Sequence, residues 1–214
     1  MKKTFLLLLL ISGFNSQAQV TDIDGNSYDT IRIGTQTWMA ENLNVSRFRN
    51  GDIIFEAKTT EDWIKAGENQ QPAWCYYDFN PNNGDMYGKL YNWHAVNDSR
   101  GIAKEGWHVP SDEEWSMLTD YLGGEDVAGR KMKSISGWPE NGNGTNESGF
   151  SGLPGGILSH LGTFDDIGVF ASYWLIPDGY SSFAWNRYLY YDSDSATGTF
   201  YNLGRGFSVR CVKD

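Results

Sequence analysis

The clearest periodicity in the chain lies between residues 111 and 124, where Trp115, Leu118 and Leu122 recur at the spacing of one buried helical face. Ser111 stands just ahead of this run and Glu114 follows three positions later, a pairing that satisfies two otherwise orphaned amides at a helix start. Asp112 and Glu113 put negative charge at the positive end of the helix dipole. Gly123 and Gly124 supply the left-handed conformation that ends the helix near Leu122, so a helix over about 112–122 is predicted. Two weaker patterns accompany it. Thr59 is placed to cap a short helix through Lys65, with Trp63 and Ile64 inward and Gly67 as its stop, and 126–133 reads as another.

Strand patterns fill much of the rest. Short runs at 20–23, 27–33 and 37–39 are separated by Asp24-Gly25-Asn26 and by Gly34, the punctuation of a β-meander. Residues 40–58 carry no period. A strand is expected at 73–77 and a polar turn at 80–84, while 90–96 fits a strand or a short helix equally well. Gly, Asn and Ser dominate 137–152, which reads as loop, and strands are expected at 155–159, 172–176, 183–191, 199–203 and 206–212. Alternation within 183–191 places Trp185, Arg187, Leu189 and Tyr191 on one face and Asn186, Tyr188 and Tyr190 on the other, so both faces carry rings. Neither a repeat at fixed period nor a Pro-rich linker marks a second domain. The expected class is α+β, with small antiparallel sheets, one well-capped helix and many loops.

The amino terminus reads as an export signal. Lys2 and Lys3 precede an apolar run from Phe5 to Ile11, and Ser16 and Ala18 have the spacing a signal peptidase accepts. This core is too short to span a bilayer, and no later segment approaches the roughly 20 apolar residues a membrane helix needs. Cleavage after Ala18 would leave 196 of the 214 residues, 19–214, as one domain. The expected location is secreted or at the bacterial cell surface, with the periplasm as the alternative. With 9 Trp, 12 Tyr and 11 Phe the chain is far too aromatic to be disordered. Its net charge of −10, which becomes −12 on loss of Lys2 and Lys3, repels phosphate backbones and argues against nucleic acid as a partner. Cys75 and Cys211 both fall in expected strands of an exported chain, so a disulfide between them is expected, the alternative being two buried free thiols.

Several blocks in order resemble the Fibrobacter succinogenes major paralogous domain of secreted bacterial proteins. They are Asp22-Ile23-Asp24-Gly25-Asn26, residues 36–43, Tyr87-Gly88-Lys89-Leu90-Tyr91-Asn92-Trp93, the helix segment at 106–124, residues 146–150 and 153–156, and Gly206-Phe207-Ser208-Val209-Arg210-Cys211. More distantly, the Trp107–Trp115 tract and the Gly-Phe ending are similar to formylglycine-generating enzymes and to the variable proteins of diversity-generating elements. Those relatives imply a C-type-lectin-like fold. The chain departs from the family pattern at 174–180, where Leu175, Ile176 and Pro177 stand in place of a second tryptophan and serines.

Candidate chemistry is thin. Gly149-Phe150-Ser151-Gly152 is not a nucleophile elbow. His108, beside Pro110 at the approach to the helix, is expected to hold the loop through a hydrogen bond. His94 and His160 have no recognisable partners in sequence, and the cysteine pair that copper-dependent formylglycine chemistry would use is absent, since that region holds Cys211 alone. Asp78, Asn80, Asn82 and Gly84 imitate the opening of a calcium loop, but the glycine is displaced and position twelve is Lys89. No catalytic residue, metal or cofactor is therefore assigned. What remains is a strip of rings and polar groups, Trp185, Asn186, Arg187, Tyr188 and Tyr190, joined by Trp174 and Tyr180, of the kind that dominates binding hot spots. In the similar variable proteins the equivalent carboxyl-terminal strands present the ligand surface. The expected function is non-catalytic binding of a glycan or a protein through this strip. The alternatives are an enzyme related to the formylglycine-generating group, or a carbohydrate-active hydrolase. Sequence leaves the oligomeric state open.

Overall fold

The computed structural model describes residues 18–176 and 183–214, the side chain of Phe183 excepted. The expected export signal up to Gln17, and Tyr180, lie outside the described residues. The chain opens with β1 (Gln19–Thr21), β2 (Ser27–Ile33), β3 (Gln36–Met39) and β4 (Phe55–Glu56), then α1 (Thr60–Glu68), β5 (Ala73–Cys75), α2 (Gly84–Tyr87), β6 (Leu90–Tyr91) and α3 (Trp93–Val96). The middle holds β7 (Trp107–His108), α4 (Asp112–Tyr121) and α5 (Glu125–Met132). The last third is β8 (Gly155–Leu158), β9 (Phe164–Ile167), β10 (Phe170–Trp174), β11 (Phe183–Tyr190), β12 (Gly198–Asn202) and β13 (Val212–Lys213). Sheets dominate and helices are few, an α+β architecture.

Helices α1, α3 and α4 start where a side chain satisfies one of their first amides. The Ser111 hydroxyl accepts from the Glu114 amide at 3.2 Å, while Glu114 Oε2 accepts from the Ser111 amide at 2.9 Å. This is the reciprocal cap expected for α4, which buries Trp115 and Leu118 completely. Thr59 caps α1 as expected, accepting from the Asp62 amide at 3.1 Å. That helix nevertheless runs past Gly67, because the turn that ends it is made by Asn69 and by Gln70, which adopts φ 53°. Trp63 is buried and Ile64 only half so.

Among the described residues three sheets result, ordered β1-β2-β3-β13-β7, β12-β11-β10-β8-β9 and β4-β5-β6. The last strand of the chain lies between β3 and β7, with Val212 opposite both Trp38 and His108, so the C-terminal end closes on the N-terminal meander. Residues 206–212, expected as one strand, instead bridge singly to three different strands of two sheets, Gly206 to Leu158, Phe207 to Tyr91 and Ser208 to Tyr173, before Val212 enters β13. Phe207, Val209, Arg210 and Cys211 are all buried, so this segment runs through the middle of the protein and has no open side along which to build a ladder. Residues 90–96 resolve as a strand and a helix in succession, because Asn92 caps α3 through its side chain. The polar turn at 80–84 winds into a short 3₁₀ turn and α2. Strands β4, β7 and β9, absent from the sequence reading, are short, at two, two and four residues, and show no alternation.

The sheet containing β10 and β11 separates two apolar clusters. Phe170, Trp174 and Ala184 belong to the one that also holds Phe48, Tyr91, Trp93 and Phe207. Ala171, Tyr173, Leu175 and Leu189 belong to the other, with Trp38, Trp115 and Phe150. A third cluster gathers Trp63, Leu90 and Leu158. Cys75 sits in that third cluster and Cys211 in the first, and both are free buried thiols, so the expected disulfide is not formed. Burial pushes both thiols up, Cys211 to about 12.

Candidate binding surface

Strand β11 is flanked by β10 and β12 and covered by apolar clusters on both faces, which changes the meaning of its aromatic alternation. A strand buried on two sides needs rings on both, and a surface strand does not. Trp174 is fully buried: its indole donates to the Tyr91 carbonyl at 2.7 Å, and its ring lies 4.4 Å from Phe207 and 5.5 Å from Trp93. Asn186 is equally buried and donates to the Ser172 hydroxyl at 2.6 Å. Arg187 is 7% exposed. It donates through Nε to Asp112 at 2.8 Å, pairs with Glu125, and reaches the Ser116 hydroxyl at 3.3 Å, so it clamps α4 and α5 to the sheet. Trp174, Asn186 and Arg187, read from sequence as ligand contacts, are therefore core and scaffold residues. The opposite position on β12 is Gly198, where an added Cβ would stand 2.9 Å from the Arg187 side chain.

The tyrosines lie between these extremes. Tyr188 is half-buried and stacks on Phe170 with centroids 5.1 Å apart and planes 30° from parallel. Tyr190 meets the same Phe170 edge-on at 5.9 Å and Tyr191 at 5.0 Å. Tyr188 and Tyr190 pack against the first cluster and Tyr191 against the second, so the strip is divided between the two faces of the sheet and is not one continuous surface.

Trp185 remains a surface candidate, and it gains a partner that sequence reading missed. It lies opposite Phe200 in the β11–β12 ladder, with ring centroids 3.9 Å apart and planes at 39°. Phe200 is 54% exposed on the edge strand of its sheet. The missing signal was register: the turn between β11 and β12 has no short Asn-Gly-type loop to fix which residues face each other.

Lys89 and His108 are among the titratable groups outside the strip whose surroundings perturb them. Lys89 is 3% exposed, its ammonium 4.3 Å from the Trp74 ring centroid and 5.4 Å from that of Tyr76. It donates to the Asn44 carbonyl and, at 3.0 Å, to the Ser46 hydroxyl. Burial draws its pKa down to about 8, against the pull of Asp24, Asp22 and Glu56. His108 is held between Glu114 Oε1 at 2.7 Å and Asp214 Oδ1 at 2.6 Å. Burial acts to lower its pKa, and the bonds to the two carboxylates outweigh that and hold it above its ordinary value. Both groups are thus engaged in tying segments together. Among the described residues no group of three or more His, Cys, Asp or Glu side chains is arranged to hold a metal ion, and no helix is long and apolar enough to cross a membrane.

No curated protein and no solved structure matches this chain. Strand β3, the capped helix α4 and the buried Gly206–Cys211 segment all lie within a region that does match a family model. Residues 31–213 fit the Fibrobacter succinogenes major domain, and the chain belongs to that family.

Proposed function

We propose that the protein is an exported, non-catalytic binding module with a C-type-lectin-like fold, which takes a glycan or protein ligand on the β11–β12 surface. The observation that carries this reading is the Trp185–Phe200 pair, an aromatic platform half open to solvent on an edge strand. Ring faces give large contact area for little conformational entropy, and sugar rings or apolar side chains stack on them. The rigid clamp of Arg187 on Asp112 and Glu125 behind the platform supports pre-organisation of its strand. The lectin-like assignment rests on the sequence resemblance, together with the loop-rich α+β architecture and the reciprocally capped helix α4.

The test is a glycan and protein array probed with residues 19–214, as wild type and as Phe200→Ala and Trp185→Ala. Phe200 is exposed, so its loss leaves stability within about 1 kcal/mol, and retention of the array ligand is expected to fall at least about tenfold. A Phe200→Ala variant that melts normally and keeps every wild-type interaction would remove this surface from consideration.

A further inference from the structure

Positive charge is scarce in a chain of net charge −10, and part of it gathers around a cavity remote from the ring platform in sequence. This cavity of about 260 Å³ is lined by Ile23, Val45, Ile102, Arg47, Arg49 and Lys104. A second, of about 150 Å³, adjoins it and shares Arg49, Ile102 and Ala103. Arg49 is the pivot. Its Nε donates to the Ala103 carbonyl at 3.0 Å and its Nη2 to the Trp107 carbonyl at 3.3 Å. Both acceptors are neutral, and no ion pair or further hydrogen bond engages its guanidinium among the described residues, which leaves Nη1 free and the charge uncompensated. The Lys104 ammonium likewise has neither ion pair nor hydrogen bond among the described residues. Arg47, by contrast, is paired with Asp24 at 3.2 Å.

Two carboxylates also line the cavity, and their states differ. Asp22 is saturated, accepting from the amides of Asp24 and Asn26, from the Asn26 side chain and from the Tyr28 hydroxyl. Glu105 is exposed and is the only lining carboxylate that opposes an incoming anion with free oxygens. An oriented guanidinium with no counter-charge, beside a free ammonium and an apolar wall, matches an anionic group carried on a small ring. The volume lies below the roughly 300 Å³ at which drug-sized sites begin, which suits a single ring.

We propose that the cavity bounded by Arg49, Lys104, Ile23 and Ile102 binds one acidic sugar unit, with Arg49 and Lys104 on its carboxylate and the ring against the isoleucines. This site shares no residue with the β11–β12 platform and stands or falls independently of it. Calorimetric titration of residues 19–214 at low salt with D-glucuronate, D-glucose and acetate tests it. Glucuronate is expected to bind at least about tenfold more tightly than either of the others, since only it supplies both charge and ring. Two exposed-residue variants read the electrostatics separately from folding: Lys104→Met is expected to weaken glucuronate binding about threefold and Glu105→Gln to strengthen it about threefold, as unit charges several ångströms away in water-like surroundings would. Equal affinity for glucose, equal affinity for acetate, or indifference to both variants at unchanged melting temperature would each overturn the assignment.

Discussion

Arg210 is 1% exposed, yet all its hydrogen bonds go to neutral groups, and replacing it gives a sharp test of how the centre of this protein is held together. Nη2 and Nε both reach Asn42 Oδ1, at 2.7 and 3.2 Å, while Nη1 reaches the carbonyls of Phe150 at 2.5 Å and Met39 at 3.2 Å. The guanidinium also lies 4.3 Å from the Phe150 ring centroid. Burial pushes its pKa down, which marks a charge that the fold tolerates at a cost. Arg210→Met keeps length and apolar volume but strands three buried acceptors, each worth about 1–3 kcal/mol. Against this, the variant no longer desolvates a charge, a penalty of several kcal/mol. The expected net loss is about 2–4 kcal/mol, or a fall in melting temperature of about 5–15 °C for a domain of this size. Arg210→Lys keeps the buried charge, yet one ammonium cannot span acceptors placed for a planar fork, so it is expected to be no more stable than the methionine variant. Urea unfolding of the wild type and the two variants decides the matter. A methionine variant within about 0.5 kcal/mol of wild type would refute the reasoning, as would a lysine variant clearly more stable than the methionine one.

Two further outcomes follow from the buried groups. The raised His108 pKa means that its bridge to Glu114 and Asp214 contributes fully below the unfolded value near 6.5 and is lost as pH rises through the higher folded value. The stability difference between wild type and His108→Gln is therefore expected to shrink from pH 6 to pH 8. Burial lowers the pKa of His94, which acts in the opposite sense but is common to both proteins; parallel urea-midpoint curves would count against the bridge. The two thiols are expected to react with a thiol reagent only on unfolding, and reductant is expected to leave the melting temperature unchanged. An intact mass about two daltons below the reduced value would show a disulfide instead.

The sequence by itself determined what depends on near neighbours. Ser111 and Glu114 are three residues apart and cap each other, so α4 was legible to within a residue, and Thr59 marked the start of α1 for the same reason. Alternation likewise placed β2, β3 and β11, and the family blocks gave the family. Tertiary structure decided everything that required knowing what lies opposite. The same alternation of rings in β11 fits a strand facing solvent or one enclosed by two cores, and only the packing of β10, α4 and residues 206–212 around it made Trp174, Asn186 and Arg187 interior. Phe200 became half of a platform through a cross-strand register, and Arg49 became a free charge beside a cavity through carbonyls more than fifty residues away. The cysteines stayed apart because their strands joined different clusters. Local hydrogen bonds and periods can be read along one segment, whereas burial, register and charge compensation are properties of pairs of segments whose meeting no single stretch of residues encodes.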